Sequence, residues 1–267
     1  MIQTRVLTAI VLVLIFGAAL FKFDLLQWVG FILFATFWAG WEWAGLASVN
    51  NKLFKLIYAF IVTVSSYLLY VYFDDSFIFL LVPVEVVVMI SMVTVYQLKK
   101  GKRLVDNSLV LLLGFFSILP FALSMITFRQ TFSPELLLLC LAIIWAIDIG
   151  AFFSGRRFGK RKLASYVSPG KTWEGVLGGF LFAIVVAYLG LYFIQPYILS
   201  SALQVTLLLA GIGLLSIYGD LFESLLKRQA NIKDSGFLLP GHGGILDRVD
   251  SLLLAMPVFY VFWLWVS

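Results

Sequence analysis

Charged side chains divide this chain into long apolar runs, most of them close to the ~20 residues that a helix needs to cross the hydrocarbon of a bilayer. The runs are Val6–Phe21, Leu25–Trp41, Leu56–Phe73, Ser76–Leu98, Asn107–Phe128 and Glu135–Ser154, the sixth carrying Asp148 near its end. Gly175–Gly219 is uncharged for 45 residues. As a single helix it would be roughly 68 Å long, far more than a bilayer is thick, so it predicts two spans that turn near Gln195-Pro196. Ser251–Trp265 is the last. The pattern predicts an all-α, polytopic integral membrane protein with about nine transmembrane helices.

Composition agrees. The chain is 62% hydrophobic and 12% charged, and its mean hydropathy of +1.04 excludes an ordinary soluble domain. The excess of basic over acidic residues invites a nucleic-acid reading, but its placement favours membrane orientation. Counting loops alternately, 17 of the 19 Lys and Arg fall on one side, leaving only Lys22 and Arg129 for the other. By the positive-inside rule the N-terminus is cytoplasmic and the C-terminus outside. Cys140, the single cysteine, excludes an intramolecular disulfide, and its apolar surroundings predict an inert buried thiol. No small-residue cleavage site marks a signal peptide. Trp38, Trp41 and Trp43 predict an interfacial belt, with Glu42 an ordinary boundary residue. Glu85, ten residues into the fourth run, is either functional or protonated and structural.

Polar chemistry is concentrated in two segments that this topology puts on the cytoplasmic side. Ser224–Asp250 holds four cations, three aspartates, the only histidine and four glycines between two apolar runs. Asp220, Glu223, Ser224 and Lys227 follow helical spacing and share one face. Pro240-Gly241 and Gly243-Gly244 then break regular structure and bare backbone N–H groups, as a phosphate-approaching loop requires. Asp247, Arg248 and Asp250 close the loop where the last apolar run begins. Carboxylates without clustered histidine or cysteine favour a hard cation such as Mg²⁺, and neighbouring Lys and Arg favour a phosphorylated ligand. The other segment runs from Asp148 through Arg156–Lys162 to Ser168-Pro-Gly-Lys-Thr-Trp-Glu-Gly175. It lacks the spacing of a Walker loop and is not expected to follow a strand. Orientation accounts for Arg156–Lys162, whereas Lys171, Thr172 and Glu174 are assigned to the site.

The order Ser224-x-Leu226-Lys227-Arg228, four residues, Lys233-Asp234-x-Gly236, then Leu239-Pro240-x-His242-Gly243-Gly244-Ile245-x-Asp247-Arg248-Val249-Asp250 resembles the signature of phosphatidate cytidylyltransferases, also called CDP-diacylglycerol synthases. No position of that stretch departs from it. The Asp148 and Ser168–Gly175 stretches are similar to the family's other motifs, with Phe152 standing where tyrosine is usual. The resemblance covers roughly Asp148 to Asp250 and implies attack by phosphatidic acid on the α-phosphorus of CTP, at an inner-membrane site facing the cytoplasm. A phosphate nucleophile is already anionic, so alignment and charge neutralisation should dominate over general-base chemistry.

On that basis Asp220 and Asp247 are expected to hold Mg²⁺ on the triphosphate, with Asp148 and Asp250 as second-rank ligands or orienting groups and a second cation implied by the family's paired metals. Lys227, Arg228, Lys233, Arg248 and Lys171 are expected to grip triphosphate and lipid phosphate. Ser224, Thr172, Gly243 and Gly244 would line the nucleotide, and His242 would assist a proton, contact phosphate or pack the loop. The chain divides into an N-terminal region, 1–105, with four spans and a catalytic region, 106–267, with five spans and cytoplasmic loops 155–175 and 220–250. CTP, phosphatidic acid and membrane lipid are the expected partners, with no nucleic acid, and dimerisation through apolar spans is compatible with the family. The lipid must enter sideways, which predicts a cleft among the last four spans. A transporter would place its polar site near the midplane, often with repeated halves. A CDP-alcohol phosphotransferase would carry a different aspartate constellation.

Overall fold

The computed structural model describes residues 2–74, 76–194, 202–239, 241 and 243–267. Its elements are α1 (Ile2–Lys22), α2 (Leu25–Leu46), α3 (Lys52–Tyr72), α4 (Ser76–Leu98), α5 (Asn107–Thr131), α6 (Pro134–Phe158), β1 (Lys162–Ala164), β2 (Ser168–Thr172), α7 (Trp173–Ile194), α8 (Ala202–Gly213), α9 (Leu215–Gln229) and α10 (Leu246–Val266). Among the described residues, eight helices are long and apolar enough to cross a membrane, with α8 and α9 counted together as Leu203–Gln229. The first expected span falls in α1, whose described apolar stretch, Ile10–Lys22, is shorter. The expected turn at Gln195-Pro196 lies outside the described residues. Large apolar side chains such as Leu26, Leu80 and Phe193 are exposed, as a lipid-facing surface requires.

Polar residues between the apolar runs start the helices. Asp24 accepts from the Gln27 amide at 2.8 Å while the Gln27 side chain accepts from the Asp24 amide at 3.1 Å, a reciprocal cap on α2. Asn51 caps α3 through the Leu53 and Phe54 amides, and Asp106 caps α5 through that of Leu109.

The chain forms two compact units, each assembled from separated stretches. One comprises Met1–Leu81, Val105–Pro134 and Leu226–Asp250; the other comprises Val82–Leu104, Glu135–Leu225 and Ser251–Ser267. In the first, α2 packs on α3 and α5. Trp28 donates to the Met125 carbonyl at 2.9 Å, Trp43 to Val110 at 2.8 Å and the Tyr58 hydroxyl to Leu111 at 2.7 Å, which satisfies polar edges inside an apolar interior. Trp43 is therefore core, 0% exposed, and not part of an interfacial belt. Gly114 leaves the space its indole fills.

In the second unit, α6 and α7 meet backbone to backbone. A Cβ on Gly150 would lie 2.8 Å from the Gly178 carbonyl oxygen, and one on Gly179 would lie 2.7 Å from that of Ile147. Small residues at such a crossing permit the close approach on which membrane helices rely. Ser154 donates to the Gly150 carbonyl at 2.6 Å and reaches Gly175 at 3.4 Å, so its half-buried hydroxyl is matched there. Between the helices runs an antiparallel hairpin that pairs Lys162 with Thr172 and Ala164 with Ser168. Ser168–Thr172 is thus itself a strand, and, against expectation, another strand precedes it. The apolar pattern could not show this, because five polar or small residues carry no periodicity.

Cys140 is fully buried, as expected. Glu85 is 6% exposed, and its carboxylate has no hydrogen-bond partner among the described residues. Packing at the glycine crossing predicts opposite signs for two alanine substitutions. Gly179→Ala should lower stability by about 1–3 kcal/mol through overpacking. Gly30→Ala, at a helical position with nothing within 4 Å, should raise it by about 0.5–1 kcal/mol. Thermal unfolding in detergent measures both, and equal effects would contradict the crossing.

Candidate active site

In the second unit, one cavity of about 510 Å³ gathers the polar residues of α6, the hairpin and α9. Asp148 and Arg156 come from α6, Lys171 and Thr172 from β2, Gly175 from the start of α7, and Asp220 from α9. Their convergence follows from local structure. The glycine crossing sets α6 against α7, and the hairpin carries Lys171 to the cavity wall. Thr172 Oγ1 accepts from the Gly175 amide at 3.1 Å, so this threonine is the N-cap of α7 and is buried. Glu174 accepts from the Lys160 and Arg161 amides at 3.0 and 3.2 Å, fastening the turn that leads into β1. It does not line the cavity.

The charges are matched at close range. Lys171 Nζ lies 2.6 Å from Asp220 Oδ2 and reaches the Ile217 carbonyl at 3.4 Å. Ser224 Oγ donates to Asp220 Oδ1 at 3.1 Å, one helical turn on, which confirms their shared face. Asp148, an exposed carboxylate at the cavity, is within electrostatic reach of both Lys171 and Asp220. The pair remains accessible, with side chains 24% and 29% exposed. Arg156, read from sequence as an orientation charge, also lines the cavity.

A distinct cluster lies in the first unit. Lys227 Nζ is 2.8 Å from Asp247 Oδ1, and these side chains are only 13% and 6% exposed. Asp247 lies in the first turn of α10 and not in the preceding loop. Its oxygens also accept from the Ser235 amide at 3.0 and 3.2 Å and from the Gly244 amide at 2.8 Å. The backbone turns at Gly241 and Gly243, with φ of 78° and 79°, where only glycine is unstrained, and Leu239 donates to the Gly243 carbonyl at 2.9 Å. Arg228, Lys233 and Arg248 are exposed and Asp250 is half-buried, while His242 lies outside the described residues.

Sequence reasoning missed Glu42. Far from an ordinary boundary residue, it is 4% exposed and its carboxylate accepts from Ser235 Oγ, Ile245 N and Leu246 N at 3.2, 3.0 and 2.8 Å. Ser235 was missed with it. Nothing in an acid between two tryptophans identifies partners some two hundred residues away.

Among the described residues no group of three or more His, Cys, Asp or Glu side chains could hold a metal ion by itself. The donors at the cavity are the two carboxylates of Asp148 and Asp220. That set fits Mg²⁺, which commonly takes one or two carboxylates and completes its shell with substrate phosphates and water.

Burial separates the two ion pairs energetically. Lys227→Met leaves a buried carboxylate without its cation and should cost about 3 kcal/mol, whereas Lys171→Met, at the accessible pair, should cost under about 1 kcal/mol. Unfolding of both variants in detergent checks the order, and a larger loss in Lys171→Met would contradict it.

The model of the cytidylyltransferase family matches residues 3–266. A phosphatidate cytidylyltransferase of Haemophilus influenzae is 35% identical over 287 residues, covering 100% of both chains. One from Pseudomonas aeruginosa is 38% identical over 271 residues, covering 97% of this chain and 96% of the relative. One from Bacillus subtilis reaches 50% identity over 121 residues, covering 44% of this chain and 43% of its own length. With a match that runs from one end of the chain to the other, this protein belongs to the cytidylyltransferase family.

Proposed function

We propose that the protein transfers CMP from CTP to phosphatidic acid, giving CDP-diacylglycerol and pyrophosphate. The observation that carries this reading is the accessible Lys171–Asp220 pair with Asp148 in a cavity walled by membrane-spanning helices. A phosphate oxygen of the lipid attacks the α-phosphorus of CTP, a new P–O bond forms, and the bond to the bridging oxygen of pyrophosphate breaks. The nucleophile is anionic at neutral pH, so the chain needs no strong base at the reacting atom. Its contribution is to align two polyanions and offset their repulsion.

Lys171 and Arg156 at the cavity, with Lys227, Arg228, Lys233 and Arg248 of the signature segment, supply positive charge for the triphosphate and the lipid phosphate. Asp220 and Asp247 are the proposed Mg²⁺ ligands, supported by Asp148 and Asp250, and a second cation is part of the same proposal. Bound Mg²⁺ would neutralise triphosphate charge and polarise its oxygens. Support for Asp220 comes from its accessibility beside a second carboxylate. Support for Asp247 comes from its place in the signature and the ammonium already paired with it. The cavity draws its walls from the sixth to eighth apolar runs, within the region expected to admit lipid from the bilayer. The distribution of 17 cations on one side supports a cytoplasmic site in the inner membrane with the C-terminus outside.

Labelled CTP should enter lipid only when phosphatidic acid and Mg²⁺ are both supplied, and a chelator should abolish the reaction. Asp220→Asn and Asp247→Asn should each lower turnover at least about 10²-fold, the scale of losing one principal electrostatic contact to the transition state. Near-normal turnover in either variant would overturn its assignment. A tag placed after Ser267 should be reachable only from the outer face; cytoplasmic labelling would reverse the topology.

A further inference from the structure

Glu42 sits on α2, remote in sequence from every motif of the family signature, yet its carboxylate is the point to which the glycine-rich segment is fastened. Both oxygens are used. Oε1 accepts from the Ile245 amide at 3.0 Å, and Oε2 accepts from the Leu246 amide at 2.8 Å and the Ser235 hydroxyl at 3.2 Å. Leu246 opens α10 and Ile245 immediately precedes it, and the amides at the start of a helix have no acceptor within it. Glu42 therefore caps α10 from another helix, and its negative charge lies at the end of the helix dipole that favours an anion.

The segment is shaped around this carboxylate. A Cβ on either Gly236 or Gly244 would collide with the Glu42 carboxylate oxygens, so a side chain at either position would push the carboxylate out of this arrangement. The same short stretch orients Asp247. Ser235 gives its hydroxyl to Glu42 and its backbone amide to Asp247, while Gly244 gives its amide to Asp247 and adjoins Ile245. Two carboxylates thus divide the donors of one loop, Glu42 holding it from outside and Asp247 from within.

We infer that Glu42 is a positioning residue for the nucleotidyl transfer: by fixing Ser235 and the amides of Ile245 and Leu246 where α10 begins, it sets the orientation of Asp247 and its partner Lys227. This rests on the proposed reaction for its effect on rate, but the anchoring itself does not. Glu42 touches no reacting atom. Its contribution is preorganisation, whose loss by a displacement near 1 Å can cost about a hundredfold in rate.

The discriminating variant is Glu42→Gln in the full-length protein in detergent with phosphatidic acid. It keeps the size and shape of the side chain, so a mere packing role would survive it. A neutral amide has one acceptor oxygen, and its NH₂ would face a donor, so three donors cannot all be satisfied. Glu42→Gln should lower kcat about ten- to a hundredfold with little change in KM for CTP. Hydrogen exchange of the amides of Ile245 and Leu246 should accelerate while that of α5 and α7 stays unchanged. Wild-type kcat with unchanged exchange at those amides overturns the inference, as does a loss of rate that only tracks the fraction of folded protein. Faster exchange without a change in kcat would keep the anchor but refute its role in the reaction. Absence of CTP-dependent product in the wild type would instead refute the proposed reaction. Should Glu42→Gln fail to accumulate folded, Ser235→Ala removes one donor of the three. It should show the same exchange change with a smaller loss of kcat, and a wild-type profile there also overturns the inference.

Discussion

An ionised carboxylate at the edge of an apolar helix bundle is stabilised by a cation or by amide hydrogens, because leaving it unmatched away from water costs several kcal/mol, and among the described residues Glu85 is buried without a hydrogen-bond partner. This constraint organises the polar parts of the protein. Asp220 is matched by Lys171 and Ser224, Asp247 by Lys227 and two amides, Glu42 by two amides and a hydroxyl, and Glu174 by the amides of a turn. In a chain that is only 12% charged, few of these pairings are incidental. They close a hairpin, cap helices and fold a glycine-rich loop.

The matches are not equivalent. The Lys227–Asp247 pair is nearly enclosed and saturated by loop amides, so it reads first as the element that gives the loop its shape. The Lys171–Asp220 pair is open to a cavity and has a second carboxylate beside it. An accessible pair contributes little to stability. Its exposed position at the wall of a cavity leaves both charges within reach of a charged ligand. Glu42 stands between these roles, wholly structural in its contacts yet bound to the backbone that orients Asp247.

Much of the architecture was legible in the sequence because it follows from one-dimensional rules. Apolar runs near 20 residues gave the spans, and the helical spacing of Asp220 and Ser224 gave a hydrogen bond that the structure contains. The signature segment was recognisable from the fixed spacing of Gly243, Gly244 and Asp247. What escaped were features decided by distant partners. Glu42 and Ser235 are bonded across 193 positions, and Trp43 is core because Val110 and Gly114 receive it. Arg156 looked like one more orientation charge, and only the packing of α6 turns it toward a cavity. Ser168–Thr172 became a strand through pairing with three residues whose pattern carries no signal.

The site's central claim is that the cavity walled by Asp148, Lys171 and Asp220 receives the triphosphate. A structure of the protein determined with CTP and Mg²⁺ tests it most directly. The account predicts phosphate density in that cavity, with Lys171 against a phosphate oxygen and a metal ion on the Asp220 carboxylate. Phosphates bound elsewhere, for instance in the smaller cavity lined by Trp38, Trp41 and Lys55, with the Lys171–Asp220 pair undisturbed, would contradict it.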